Sequence, residues 1–214
     1  SDLFIMAKDT VRSTELNEPA RVPVPASEVR RFDGGGAKPS RFELLEALLR
    51  AVSDDTAIIA TTGKCGRELF TLADRAQHLY QVGSMGCASA MGLGVALHTD
   101  RPVIVLDGDG AALMKMGNLA TIGAAAPDNL VHLVLDNGVH DSTGGQSTAS
   151  ASVDFASAAL ACGYRAAATI DSVAGLESAL PELLSARGPA LIHCRIAAGS
   201  LAKLGRPTVS PPDV

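Results

Sequence analysis

Apolar residues fall along this chain in two rhythms. After Phe42, Leu45, Leu48, Leu49 and Val52 follow at helical spacing. The preceding Ser40-Arg41-Phe42-Glu43 is a capping-box pattern, with Ser40 as N-cap and Glu43 reaching back. Short continuous apolar runs come next. They cover residues 57–61 and 78–82, a run from Val103 into Gly108-Asp109-Gly110, and a run into Asp136-Asn137-Gly138. Residues 165–170 and 190–195 are the last strand candidates, with a helix over 176–184 between them. Small residues predict a helix after Gly83-Ser84-Met85-Gly86 as far as Leu97, and a further helix is expected over 110–125. Strands alternating with helices in this way predict a mostly parallel sheet covered on both faces, a three-layer α/β/α fold.

The two ends read differently. Residues 1–39 hold one short strand candidate, 3–6, then a polar run containing Pro and the triplet Gly34-Gly35-Gly36, a composition that suits an exposed linker. The domain proper is expected over 40–199, and 200–214, rich in Pro and polar residues, is expected as a surface tail. With 47% hydrophobic but only 3% aromatic residues, the core must be built mainly from Ala, Val, Leu and Ile, as in sheets buried on both faces. A net charge of −5 without any basic run argues against a general nucleic-acid binder. No apolar run approaches the ~20 residues that span a bilayer, and the first residues show no signal-peptide pattern. A cytoplasmic protein is expected, with Cys65, Cys87, Cys162 and Cys194 as reduced thiols, since no C-x-x-C pair occurs.

The densest chemical signal lies in residues 103–146. Two parallel strands joined by a helix end at the same sheet edge, so Asp109 and Asn137 arrive side by side as oxygen ligands. The helix opening at Gly110 turns its first backbone N–H groups into the same space, which suits a phosphate. A carboxylate, carbonyl oxygens and phosphate oxygens are what Mg2+ prefers. Asp-Gly and Asn-Gly also begin tight turns, but the pair on consecutive strands favours a magnesium diphosphate site. Lys64 and Arg67 are expected in a Gly-flanked turn at that edge, either gripping an anion or simply solvated. His140, Ser142 and Thr143 follow the metal loop, and His140 either transfers protons or caps the loop. His78, His98, His132 and His193 show no metal-ligand spacing and are expected to be structural.

GDG followed by Asn resembles the cofactor signature of the thiamine diphosphate enzymes, and the 26 residues between Gly110 and Asn137 fit its spacing. The resemblance implies Mg2+ held by Asp109, Asn137 and the main-chain carbonyl of Val139. Asp136 stands where many members have a second Asn. It also implies Gly108, Gly110 and Ala111 around the diphosphate. The Gly83-Ser84-Met85-Gly86 turn would give the Gly83 carbonyl to the cofactor's amino group and Met85 as the wedge under its bend. Four longer strings, TTGKCGRELFTLADR, GSMGCASAMGLGVAL, GDGAALMKMGNLATIG and LDNGVHDSTGGQ, together resemble the phosphonopyruvate decarboxylase family, with the sulfopyruvate decarboxylases of the same subfamily as the nearest competitor. The similarity covers about residues 40–196. It implies non-oxidative decarboxylation of 3-phosphonopyruvate, with Lys64, Arg67, Ser142 and Thr143 as candidates for the substrate's anionic end. In that family a glutamate from a separate pyrimidine-binding domain activates the cofactor. Residues 3–8 resemble that domain's last strand, so residues 1–39 read as its end plus a linker. A partner domain, in this or another chain, and a homo- or hetero-oligomer are therefore implied. The rivals are another thiamine diphosphate reaction on a small acidic 2-oxo acid, and a non-catalytic phosphate-binding module.

Overall fold

Ser40 caps α1 (Arg41–Ala51) as the sequence pattern predicts. Its hydroxyl accepts the Glu43 N–H at 3.2 Å, while Glu43 Oε2 accepts the Ser40 N–H at 2.8 Å. The structure, a computed structural model, describes residue 10 and residues 28–208. The strand candidate at 3–6 lies outside the described residues.

Seven parallel strands form one sheet in the order β1-β8-β9-β5-β4-β2-β3. These are β1 (Arg30–Phe32), β2 (Ala57–Ala60), β3 (His78–Tyr80), β4 (Val103–Gly108), β5 (Leu130–Asp136), β8 (Ala166–Ile170) and β9 (Ala190–Arg195). The near-continuous apolar strands β4, β5 and β9 occupy the middle, where both faces are covered. A short antiparallel hairpin, β6 (Val139–His140) with β7 (Gln146–Ser147), stands apart from the sheet.

Two apolar clusters lie on the two faces. α1, α2 (Lys64–Leu72) and α7 (Val173–Leu184) bury Leu44, Leu48, Leu69, Leu176 and Leu180 against one side. α3 (Ala88–Ala96), α4 (Asp109–Met114), α5 (Asn118–Ala125) and α6 (Phe155–Ala161) bury Ala88, Ala112, Ile122 and Phe155 against the other. The result is the expected three-layer α/β/α sandwich. Two buried polar pairs cross between strands within it. His132 Nε2 meets Asp107 Oδ2 at 3.0 Å, and His193 Nε2 meets Asp136 Oδ2 at 2.8 Å. Each partner satisfies hydrogen-bonding capacity that burial would otherwise leave open.

Three local expectations change. First, β1 lies in the stretch expected as linker. It joins the sheet edge through backbone pairing with β8, and its exposed Arg-Arg sequence carries no apolar alternation to announce it. Second, the helix expected over 110–125 is two helices. Lys115 leaves helical geometry at φ −132°, ψ 39°, and α5 restarts at Asn118, whose side-chain amide donates to the Gly86 carbonyl and to Ser89 Oγ. Third, Lys64 and Arg67 lie in the opening of α2 rather than in a turn. Gly63 at φ 96° makes the bend ahead of it, and Cys65, Gly66 and Leu69 bury the helix's inner face. Among the described residues no helix is long and apolar enough to cross a membrane.

Candidate functional site

β4 and β5 pair through Gly108↔Leu135, so Asp109 and Asn137 leave the sheet at neighbouring points of one edge. Asp109 is 2% exposed. Burial pushes its carboxyl above the ordinary carboxylate range, against the hydrogen bond it accepts from Thr148 Oγ1, and the like-charged Asp136 adds to the rise. Asp136 goes the other way. Burial alone would raise it, but hydrogen bonds from His193 and Ser150 hold it below the usual range. Asn137 donates Nδ2–H to Asp141 Oδ2 at 2.6 Å, while its Oδ1 accepts the Val139 N–H at 3.1 Å. Gly138 at φ +73° makes the sharp step between them.

One cleft gathers most of the expected residues: Lys64, Met85, Gly108, Asp109, Gly110, Ala111, Asn137, Val139, His140 and Ser142 all line it. The ring of His140 lies where a Cβ at Gly110 would be, 2.5 Å from that position to Cε1, so the Gly110 backbone and His140 are in close contact. Thr143 is exposed and donates to Gln146 Oε1 at 3.3 Å, outside the cleft lining. Gly83 and Ser84 adopt positive φ of 72° and 45° in an exposed turn beside Met85 and do not line the cleft themselves. Arg67 faces an adjoining groove shared with Lys64, Ser142 and Arg206. Its guanidinium is engaged by the tail, donating to the Gly205 and Leu204 carbonyls at 3.0 and 2.8 Å.

Four side chains escaped the sequence pattern. Arg41 lines the cleft although it opens a helix that reads as amphipathic, and its guanidinium is buried between Glu68 and Asp141. Thr148 reaches Asp109 from 39 residues away in sequence. Thr61 places a buried hydroxyl, without a partner among the described residues, in the cleft wall. Glu68, 1% exposed, carries no signal separating it from a surface helix acid. Cys65 also lines the cleft, but burial pushes its thiol up to about 12, so it is no nucleophile at neutral pH.

The donor set can be tested against a cation. Among the described residues no group of three or more His, Cys, Asp or Glu side chains could hold a metal. What the edge offers is one desolvated carboxylate, one amide oxygen and main-chain carbonyls, with an unpartnered hydroxyl in the same wall. That is too few ligands for a self-sufficient site. It fits a hard cation that takes further oxygens from a bound phosphate and water.

A three-layer parallel domain with such oxygens at adjacent strand ends is an α/β domain built to bind a ligand at the carboxyl edge of its sheet. Residues 62–194 match the family described as thiamine pyrophosphate enzyme, C-terminal TPP binding domain. The chain belongs to this family of thiamine diphosphate enzymes. It is 53% identical over 99% of its length to the phosphonopyruvate decarboxylase of Streptomyces viridochromogenes, covering 54% of that protein. Against the sulfopyruvate decarboxylase subunit beta of Methanothermobacter thermautotrophicus it is 38% identical over 74% of its length, covering 84% of that subunit. The chain thus spans about half the length of the Streptomyces relative. The fold also matches a thiamine diphosphate-dependent 4-hydroxybenzoylformate decarboxylase of Rhodococcus jostii RHA1, with a TM-score of 0.66 at 20% identity, over 86% of this chain and 37% of that one.

Proposed function

We propose that this chain is the diphosphate- and Mg2+-binding half of a cytoplasmic enzyme that decarboxylates 3-phosphonopyruvate to phosphonoacetaldehyde and CO2, a step of phosphonate biosynthesis. The observation that carries the proposal is the pairing of the desolvated Asp109 with Asn137 at adjacent strand ends, in a chain 53% identical to a phosphonopyruvate decarboxylase. Bound thiamine diphosphate supplies the electron sink that such a decarboxylation needs. Asp109, Asn137 and the Val139 carbonyl would hold Mg2+. The backbone N–H groups of Gly110 and Ala111 would take the diphosphate, and Gly83, Ser84 and Met85 would seat the pyrimidine end. Lys64 and Ser142, which line both the cleft and the adjoining groove, are placed to meet a second anionic group on the substrate. His140, whose ring packs against the Gly110 backbone in the same cleft, is the candidate for proton transfer.

No carboxylate on the described part of the edge is left for activating the cofactor's pyrimidine. Glu68 and Asp141 are both engaged by Arg41, Asp136 is held by His193 and Ser150, and Asp109 would face the metal. The activating acid would come from a pyrimidine-binding domain, supplied in the same or another chain, within an oligomer. A second possibility is favoured by the 84% coverage of a sulfopyruvate decarboxylase beta subunit. In it this chain is one subunit of a two-chain enzyme acting on sulfopyruvate. The test is to assay the assembled protein with Mg2+ and thiamine diphosphate on 3-phosphonopyruvate, sulfopyruvate and pyruvate, measuring CO2 and aldehyde. The proposal requires the highest kcat/KM on 3-phosphonopyruvate, and preference for sulfopyruvate would replace it with the second possibility.

A further inference from the structure

Arg41 opens α1 with its guanidinium in the interior, its side chain only 7% exposed. A buried charge is costly unless it is paired and hydrogen-bonded on several sides. Here it is. One terminal nitrogen of Arg41 meets Glu68 Oε2 at 3.3 Å and the Gly199 carbonyl at 3.4 Å, and the other meets Asp141 Oδ2 at 3.0 Å. Glu68 in turn accepts the Leu201 N–H at 3.0 Å, so the Glu68 arm of this network ties α1, α2 and the tail together. The Asp141 arm points to the cleft instead. Asp141 Oδ2, the oxygen that receives Arg41, also receives Nδ2–H of Asn137 at 2.6 Å.

That shared oxygen sets the orientation of the Asn137 amide. The two ends of an asparagine amide have nearly the same shape, and the hydrogen-bond partners decide which is which. Asp141 Oδ2 is an acceptor here, already taking a hydrogen bond from Arg41, so the NH2 end must face it. The carbonyl end is then held on the opposite side, where Oδ1 accepts the Val139 N–H at 3.1 Å. Arg41 keeps Asp141 in place, because its guanidinium, 3.0 Å from Oδ2, holds that oxygen by a charge-assisted hydrogen bond. Without that guanidinium, Oδ2 of Asp141 would lose the contact that fixes it beside Asn137.

We propose that Arg41 is a positioning residue for the metal ligand Asn137, acting through Asp141. The inference rests on the Mg2+ site proposed above and adds to it the side chains that aim one ligand. Groups beyond the direct metal ligands typically change metal affinity 10–100-fold when removed. The alternative is that Arg41 merely fastens α1 to α2, in which case its Glu68 arm does all the work.

The two roles separate by titrating Mg2+ into the assembled protein at saturating thiamine diphosphate, read by calorimetry, with thermal unfolding recorded for each variant. Arg41→Met and Asp141→Ala should each weaken Mg2+ by about 10–100-fold. Asp141→Asn keeps an oxygen that accepts from both Arg41 and Asn137, and should stay within a few-fold of the parent. Asp141→Ala leaves the Glu68 arm intact, so the test holds even where Arg41→Met fails to fold. Parental Mg2+ affinity in folded Asp141→Ala protein overturns the proposal, as does an Asp141→Asn protein as weak as Asp141→Ala. Asp109→Ala serves as the reference. If it too binds Mg2+ like the parent, the metal site itself is misplaced and the positioning role falls with it. If only Asp109→Ala weakens, the site stands and Arg41 is structural.

Discussion

The hydroxyl of Thr148 donates to Oδ2 of Asp109, tying the segment after the β6–β7 hairpin to the carboxylate at the end of β4. The bond orients a charge that burial has already made costly, as the raised pKa of Asp109 records. A carboxylate kept at that cost is better explained by a cation than by stability. Asp109→Ala should therefore abolish Mg2+-dependent cofactor binding, weakening Mg2+ by more than the roughly 100-fold upper range for outer-shell changes. The melting temperature without cofactor should stay within about 4 °C of the parent, or rise. Calorimetric titration and a thermal melt on the same samples check both halves.

Gly86 gives a second prediction. At φ +90° it sits where a Cβ would come within 2.7 Å of the Ala111 carbonyl oxygen. Gly86→Ala should cost about 1–3 kcal/mol through strained backbone and contact with α4. For a chain of this size that is a melting-temperature drop of roughly 2–12 °C. Because the displaced neighbour is Ala111, thiamine diphosphate affinity should fall as well.

Lys64 and Arg67 should behave differently. Lys64 lines both the cleft and the adjoining groove, whereas Arg67 holds the tail carbonyls of Leu204 and Gly205. In the assembled enzyme Lys64→Met should lower kcat/KM for 3-phosphonopyruvate about 10–100-fold more than for pyruvate, the worth of one charge-assisted hydrogen bond. Arg67→Ala should lower both substrates alike and loosen the tail. Equal losses for both substrates in Lys64→Met would remove Lys64 from the substrate's anionic end.

The 214-residue chain alone should fold but release no CO2. Its two apolar clusters cover both faces of the sheet, which gives it a core of its own. Its nearest spare acids, Glu68 and Asp141, are held by Arg41. Adding a pyrimidine-binding partner, fused or as a second chain, should restore decarboxylation. Steady turnover by the isolated chain with Mg2+ and thiamine diphosphate would falsify the two-part account.

The sheet and the placement of Asp109 and Asn137 at adjacent strand ends are legible because each rests on a local signal. Apolar runs mark β4 and β5, and Asp109 and Asn137 sit directly at their ends. The capping box of α1 was equally local. What stayed hidden depends on contacts between distant segments. β1 exists by pairing with β8 rather than by its own composition, and the break between α4 and α5 lies beside the Gly86 turn. Arg41, Glu68 and Thr148 are ordinary polar residues until the fold brings them beside Asp141 and Asp109. Charge and position make Arg67 only a candidate for an anion, and the folded tail reveals what its guanidinium touches.

The most direct test of the account is to locate the metal. Crystals of the assembled protein grown with thiamine diphosphate and Mn2+ in place of Mg2+ would reveal the ion by its anomalous scattering. The account predicts one peak per site, coordinated by a side-chain oxygen of Asp109, the amide oxygen of Asn137, the main-chain carbonyl of Val139 and diphosphate oxygens. Bound cofactor with no metal peak there, or a peak coordinated by other residues, would contradict it.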